Sequence, residues 1–335
     1  MYVGDIYTRA GTHNLVWEVL ANAIDQHLAG HCTRIDVTLH RDGSLSVVDD
    51  GEGISVGSNN GTTWLEEILT RVHDRATADG HAPHVHLRRW HIGLSMVSAL
   101  SSAMSVEVER ENERWRIETS QGRVTQPPTK LGATQGRGTT VRMRADETIF
   151  RDPDFDPETL ARRLRELASL LPGLVTSFSC EAHAYGPERS LAQLLDGAEI
   201  PGRRAHAQVV EGETRDGFTS ARVALEWRDW PRQARIVGYC NLLPTPHGSH
   251  LEGFERGVAK ALGRRDHRRV MNALGNGLNA VVSVMVIDPS FKSPTAETLD
   301  SREARDLVRD ATAHALAKAM DTDPALTKFI AGRLR

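Results

Sequence analysis

The sequence predicts an α+β protein of about two domains, with helices packed on a mixed sheet, and three observations predict it. Leu15, Val16, Val19, Leu20, Ala23, Ile24 and Leu28 recur at helical spacing, which marks an amphipathic helix near the N-terminus. Two alternating runs follow at once, Ile35/Val37/Leu39 and Leu45/Val47, joined by a turn at Asp42-Gly43. Further on, the strand-like runs Val223–Trp227, Arg235–Tyr239 and Ala280–Val286 alternate with the helical stretches Gly253–Leu262 and Glu303–Ala319. The 335 residues, 39% hydrophobic and 25% charged, suffice for two cores. The change between domains falls around residues 190–205, giving expected domains of 1–198 and 199–335.

Composition excludes several classes. The formal net charge is −3 and no basic stripe appears, so direct DNA binding by this chain alone is not expected. Cys32, Cys180 and Cys240 show no metal-ligand spacing, and an odd count argues against a disulfide framework; reduced, buried thiols are expected. No signal peptide or membrane span appears, which predicts a cytoplasmic protein.

Taken in order, the first helix has Thr12 as its expected N-cap. Glu18, Asn22 and Gln26 lie four residues apart on it and form one polar stripe. A polar stripe beside an apolar face fits a helix whose far side looks into a site, with a solvated helix face as the alternative. The strand through Leu45 and Val47 runs straight into Asp49-Asp50-Gly51-Glu52-Gly53-Ile54, a glycine-rich loop. Trp64–Val72 reads as helix, and Asp74–Pro83 as a polar, turn-rich loop. Histidines crowd this region at His73, His81, His84, His86 and His91, with no cysteine nearby and no zinc spacing, so a polar loop is favoured over a metal site. Ser95–Leu100 continues as helix, and Ser105–Arg110 and Arg114–Thr119 as strands. Gly136-Arg137-Gly138-Thr139 is a turn into a strand. Leu160, Leu164, Leu167 and Leu171 make Phe155–Leu171 an amphipathic helix that ends near Pro172-Gly173.

Met1-Tyr2-Val3-Gly4-Asp5, the run from Glu18 to Asp25, Leu28–Cys32, Asp49–Ile54 and the loop Pro289–Ser293 occur in the order of the DNA gyrase B family. The chain resembles that family's ATPase region, part of the GHKL superfamily with Hsp90, MutL and histidine kinases. The resemblance implies a GHKL (Bergerat) sandwich followed by a ribosomal-protein-S5-like transducer domain, and it implies ATP and Mg²⁺ as ligands. It implies Glu18 as the catalytic base that polarises the attacking water and Asn22 as the Mg²⁺ ligand. Asp49 would accept from the adenine amino group, with Gly53 and Thr139 completing the adenine site and Ile54, Ile68 and Leu69 as its apolar walls. These residue types suit those tasks: a carboxylate can act as base, an amide oxygen suits a hard cation, and a buried acceptor discriminates between bases. Arg110 matches an arginine at the pocket mouth, and Asn241, Pro244 and Gly248–Leu251 follow the pattern before the first transducer helix.

The chain also departs from the family. Where the family carries a Glu and an Arg that meet over the adenine, Gln26 and Glu52 stand, so a neutral-to-anionic contact between them is expected in place of the ion pair. The family's glycine-rich phosphate loop reads Leu87-Arg88-Arg89-Trp90-His91-Ile92-Gly93 here, and only Gly93 survives. Left-handed backbone costs a non-glycine residue about 1–2 kcal/mol, so a different lid conformation is expected. Arg88 and Arg89 are candidate phosphate contacts by charge, or else are solvated or grip another acidic partner, and His91 is a candidate acid, base or nucleophile. The family lysine that reaches the terminal phosphate is matched by Ala296, in Pro294-Thr295-Ala296, with Lys292 nearby in sequence. Losing one such donor typically slows a reaction by about 10²–10³-fold.

The sequence starts at Met1, so the family's N-terminal arm is not expected, and it ends at Arg335 before any TOPRIM domain, so DNA strand passage is not expected of this chain alone. Two function classes remain open. One is an ATP-dependent enzyme with altered lid chemistry and weak intrinsic hydrolysis, with a second small-molecule substrate in a specialised pathway as one candidate. The other is a non-catalytic nucleotide-binding regulator, gyrase partner or antibiotic-resistance decoy. A homodimer or a gyrase subunit is a candidate partner in either case.

Overall fold

The computed structural model describes residues 5–59, 61–72, 93–180, 183–185, 190–196, 202–230, 233–292 and 295–334. The chain divides into two units, Met1–Glu188 and Arg189–Arg335.

The first unit runs α1 (Arg9–Leu28), β1 (Arg34–Leu39), β2 (Leu45–Asp49), β3 (Ser58–Asn59), β4 (Thr62–Thr63), α2 (Trp64–Thr70), α3 (Gly93–Ala99), β5 (Ser101–Arg110), β6 (Glu113–Ser120), β7 (Arg123–Ala133), β8 (Gly138–Ala145), α4 (Pro157–Leu170), β9 (Val175–Cys180) and β10 (His183–Tyr185). Eight strands form one sheet in the order β10-β9-β1-β2-β8-β5-β6-β7. Among the described pairings of this sheet only β1 and β9 run parallel, so the sheet is mixed.

Strand alternation sets the core. Phe178, Val37, Val47, Val141, Val106 and Ile117 face one another across successive strands and are at most 4% exposed. Burying each such side chain contributes about 1.5–3 kcal/mol. Helix α1 packs on β2 and β8, α3 on β5, and α4 on β9.

Helix α1 starts earlier than its apolar periodicity suggests. Thr8 is its N-cap residue, while Thr12 lies inside the helix, fully buried, and its hydroxyl donates to the Asp152 carbonyl. Arg9 pairs with the Asp152 carboxylate at 3.0 Å, so tertiary contacts support the extra turn. Strand β7 carries Pro127 and Pro128, which a central strand would not tolerate; it lies at the sheet edge, where the missing N–H groups leave no ladder bond broken. Cys32 and Cys240 are buried free thiols, pushed up to about 12 chiefly by burial, and Cys180 is half-buried.

The second unit runs α5 (Gln193–Asp196), β11 (Val210–Asp216), β12 (Thr219–Trp227), β13 (Arg235–Cys240), β14 (Leu243–Pro244), β15 (His247–Gly248), α6 (Ser249–Ala261), α7 (His267–Leu274), β16 (Leu278–Met285), β17 (Thr298–Leu299), α8 (Arg302–Thr322) and α9 (Pro324–Arg333). Its main sheet is ordered β11-β12-β16-β13-β14. Strands β13 and β16 are parallel, and α6 and α7 lie between them in the chain, the crossover that parallel strands require. Helices α6 and α8 approach closely at Gly253 and Gly257; a Cβ on Gly253 would sit 2.3 Å from the Arg305 carbonyl oxygen.

Two buried polar groups brace this unit. Glu226 is fully buried, yet both its carboxylate oxygens accept from arginines at 2.6 Å, Arg204 on one and Arg228 on the other. Asn279 adds a further donor to Glu226 and also bonds the Leu195 carbonyl. Burial opposes ionisation of Glu226, but these donors hold it below the usual glutamate range. His250 is fully buried, its Nε2 lies 3.1 Å from the Thr245 carbonyl, and burial pulls its pKa down to about 4.

Candidate functional site

In the first unit, α1, the end of β2, the loop after it, α2 and β8 enclose a cavity of about 730 Å³. That is the size of an ordinary small-molecule site. Val47, Asp49, Thr139 and Val141 form its floor on the sheet, and Asn22 and Gln26 face it from α1.

Asp49 decides the character of the floor. It occupies an inward position of β2, in register with Ile35 on one side and Thr139 on the other, where alternation places apolar side chains. It is only 9% exposed, and burial pushes its pKa up to about 6. Its Oδ1 accepts from the Gly51 N–H at 2.9 Å and the Thr139 N–H at 3.3 Å. Asp50, next in sequence, points elsewhere. Burial opposes its charge, but Thr33 and Arg34 donate to it and bring it to about 2. The two adjacent carboxylates therefore differ in role: Asp50 ties the start of β1 to the end of β2, and Asp49 is held at a cavity wall.

Glycines make this geometry possible. Gly138 has a φ of 122°, and a Cβ there would lie 2.0 Å from the Asp49 carbonyl oxygen. Gly53 has a φ of 79°, with Val108 and two carbonyl oxygens within 3.0 Å of its Cβ position. The Gly53 carbonyl accepts from Arg110 at 2.9 Å, which brings that arginine to the cavity wall.

Glu18 is buried at 3% exposure, and its Oε2 accepts from the Gly93 N–H at 3.0 Å, at the start of α3. It sits one turn before Asn22 on α1 and next to Val19, which lines the cavity, but Glu18 itself is not a wall residue. Asn22, Asp49, Gly53, Ile54, Ile68 and Thr139 all line the cavity. Leu69, expected as an apolar wall, turns into the core at 1% exposure instead. Arg88, Arg89 and His91, with the other lid histidines, lie outside the described residues.

The rim differs from a direct contact between the Gln26 and Glu52 side chains. The Gln26 amide oxygen accepts from the Glu52 backbone N–H at 3.3 Å, and the Glu52 carboxylate pairs with His31 Nδ1 at 3.0 Å. His31 lies in the Leu28–Cys32 motif, but its place at the rim leaves no periodic trace, because the turn at Gly30, with a φ of 85°, brings it there. Trp64 also escapes that reasoning, although its spacing of four from Ile68 on α2 puts both on one helix face. Among the described residues no group of three His, Cys, Asp or Glu side chains could hold a metal ion.

Comparison with known proteins agrees with this architecture. The family described as "Histidine kinase-, DNA gyrase B-, and HSP90-like ATPase" matches residues 8–149, and the family "DNA gyrase B" matches residues 194–334. The DNA gyrase B protein of Clostridium acetobutylicum is 30% identical over 98% of this chain and 54% of its own length. That of Haloferax volcanii is 32% identical over 97% of this chain and 54% of its own length. The chain thus spans about half the length of these curated relatives. The crystal structure of the 43K ATPase domain of Thermus thermophilus gyrase B, in complex with an aminocoumarin, superposes with a TM-score of 0.84. It is 28% identical and covers 100% of this chain and 91% of that one. With the mixed sheet, the helix-covered cavity and both family matches falling in order, the chain belongs to the DNA gyrase B-like family of GHKL ATPases, its GHKL unit followed by a transducer-type unit.

Proposed function

We propose that the first unit binds Mg-ATP in the cavity and hydrolyses it slowly. The observation that carries this reading is Asp49: a carboxylate held at an inward sheet position, 9% exposed, with a cavity of about 730 Å³ against it. A buried acceptor with no cation partner among the described residues suits a ligand that supplies a donor, and the adenine amino group is one. Thr139 and Gly53, which line the cavity, would complete that end, and Ile54 and Ile68, also on its wall, would pack against the base.

Asn22 is the proposed Mg²⁺ ligand. Its amide oxygen suits a hard cation, which would take its remaining ligands from phosphate oxygens and water. The ion would neutralise phosphate charge. Glu18 is the proposed general base, with one carboxylate oxygen oriented by the Gly93 N–H. It would take a proton from water as the water oxygen bonds to the terminal phosphorus and the bond to the ADP oxygen breaks. Arg88 and Arg89 are proposed to offset phosphate charge in place of the glycine-rich loop. Ala296, which stands where the family carries lysine, brings no cation, so turnover should be slow.

That same alanine favours a second reading, a nucleotide-binding regulator that does not turn over. Turnover and binding of a non-hydrolysable ATP analogue, measured on the parent and on Glu18→Ala, decide between them. Slow parental hydrolysis that disappears in Glu18→Ala, with binding kept, supports the enzyme. Binding without any parental hydrolysis supports the regulator, and no binding at all overturns both.

A further inference from the structure

Four arginines, Arg264, Arg265, Arg268 and Arg269, fall within six residues at the start of α7, and all four are exposed. The chain as a whole carries a net charge of −3, so this density is local. Elsewhere in the second unit Arg204, Arg228, Arg256, Arg305 and Arg309 each pair with a carboxylate within 3.2 Å. Around α7 the carboxylates are committed. Asp266 caps the helix by accepting from the Arg269 N–H at 3.0 Å, and Glu255, half-buried on α6, faces His267 and Arg268. Arg264, Arg265 and Arg269 instead wall a cleft of about 230 Å³, together with the helix-capping Asp266, and its floor is Val270, Ala273 and Leu334.

Like charges on neighbouring residues repel, and three arginines lining one concavity, with one carboxylate among them, are stabilised by an anion bound there. We propose that this cleft binds a phosphate-bearing small molecule, gripped by the guanidiniums of Arg264, Arg265 and Arg269. The cleft suits a small ligand better than a duplex: it is concave and its floor is apolar. Guanidinium groups bind phosphate bidentately, and the apolar floor would take the ligand's uncharged part. This site lies within the second unit and stands independently of the nucleotide reading of the first.

The test is a titration of the full chain with inorganic pyrophosphate at low salt, with amide hydrogen exchange followed across residues 264–274. The parent should bind and gain protection there. Arg265→Ala/Arg269→Ala should bind at least about tenfold more weakly, the loss expected for removing charge-assisted hydrogen bonds. These side chains are exposed, so the variant's melting temperature should match the parent's. Titration of an ATP analogue into the variant should be unchanged, which separates this site from the first unit's cavity. Absence of protection across 264–274, equal pyrophosphate binding by the variant, or binding of a short DNA duplex through these arginines without pyrophosphate binding would overturn the proposal.

Discussion

Asp49 and Thr139 stand directly opposite on β2 and β8, and the Thr139 N–H donates to Asp49 Oδ1 at 3.3 Å. That bond and the one from Gly51 aim a carboxylate along the sheet floor at a position that alternation would give to an apolar side chain. The cost of burying it is visible in its pKa of about 6.

The first prediction follows from that cost. An unfolded aspartate titrates near 3.8 and folded Asp49 near 6, so the folded state holds the proton more tightly. Stability from this residue is full below pH 4 and is lost as pH rises through 6, by about 3 kcal/mol. Asp49→Asn keeps the shape and removes the charge. Without ligand it should melt several degrees higher than the parent at pH 7, with the difference vanishing near pH 4. Calorimetric melts across that range check it.

His250 gives the opposite sign in the second unit. Its folded pKa of about 4 lies below the unfolded 6.5, so the unfolded chain takes up the proton first. The stability it contributes is present above 6.5 and lost as pH falls toward 4, by about 3 kcal/mol. Urea titrations should show His250→Gln with a weaker acid dependence than the parent.

Removing the Glu226 carboxylate leaves Arg204 and Arg228 facing each other without their anion. Glu226→Ala should destabilise the second unit by about 3–5 kcal/mol, the usual result of breaking a buried pair from one side. A denaturation midpoint equal to the parent's would contradict this role.

The rim pair is a weaker matter. His31 and Glu52 are 43% and 46% exposed, and an exposed pair contributes about 0–1 kcal/mol. His31→Ala should leave the melting temperature within about two degrees of the parent's. A larger drop would mean that the loop after α1 depends on this contact.

Most of this architecture is legible in residue spacing. The apolar period of α1, the alternation of β1 and β2 and the four-residue stripe holding Glu18, Asn22 and Gln26 depend on local pattern, and the structure keeps them. What escapes depends on contacts distant in sequence. Thr12 reads as a cap, yet its hydroxyl is used by Asp152, 140 residues away. Strand β7 is disguised by two prolines that only an edge position permits. The resemblance implies both Ile68 and Leu69 as pocket walls, but on a helix adjacent residues face different ways, and Leu69 is buried in the core. The assignment of Glu52 to His31 and not to the Gln26 side chain rests on one glycine turn.

The most direct measurement is calorimetric titration of matched adenine and guanine nucleotide analogues, with Mg²⁺, into the parent and Asp49→Ala. The parent should prefer adenine, and Asp49→Ala should lose about 10-fold to 150-fold in adenine affinity, the range for a hydrogen bond to a charged group. Equal affinity of parent and variant for the adenine analogue would contradict it.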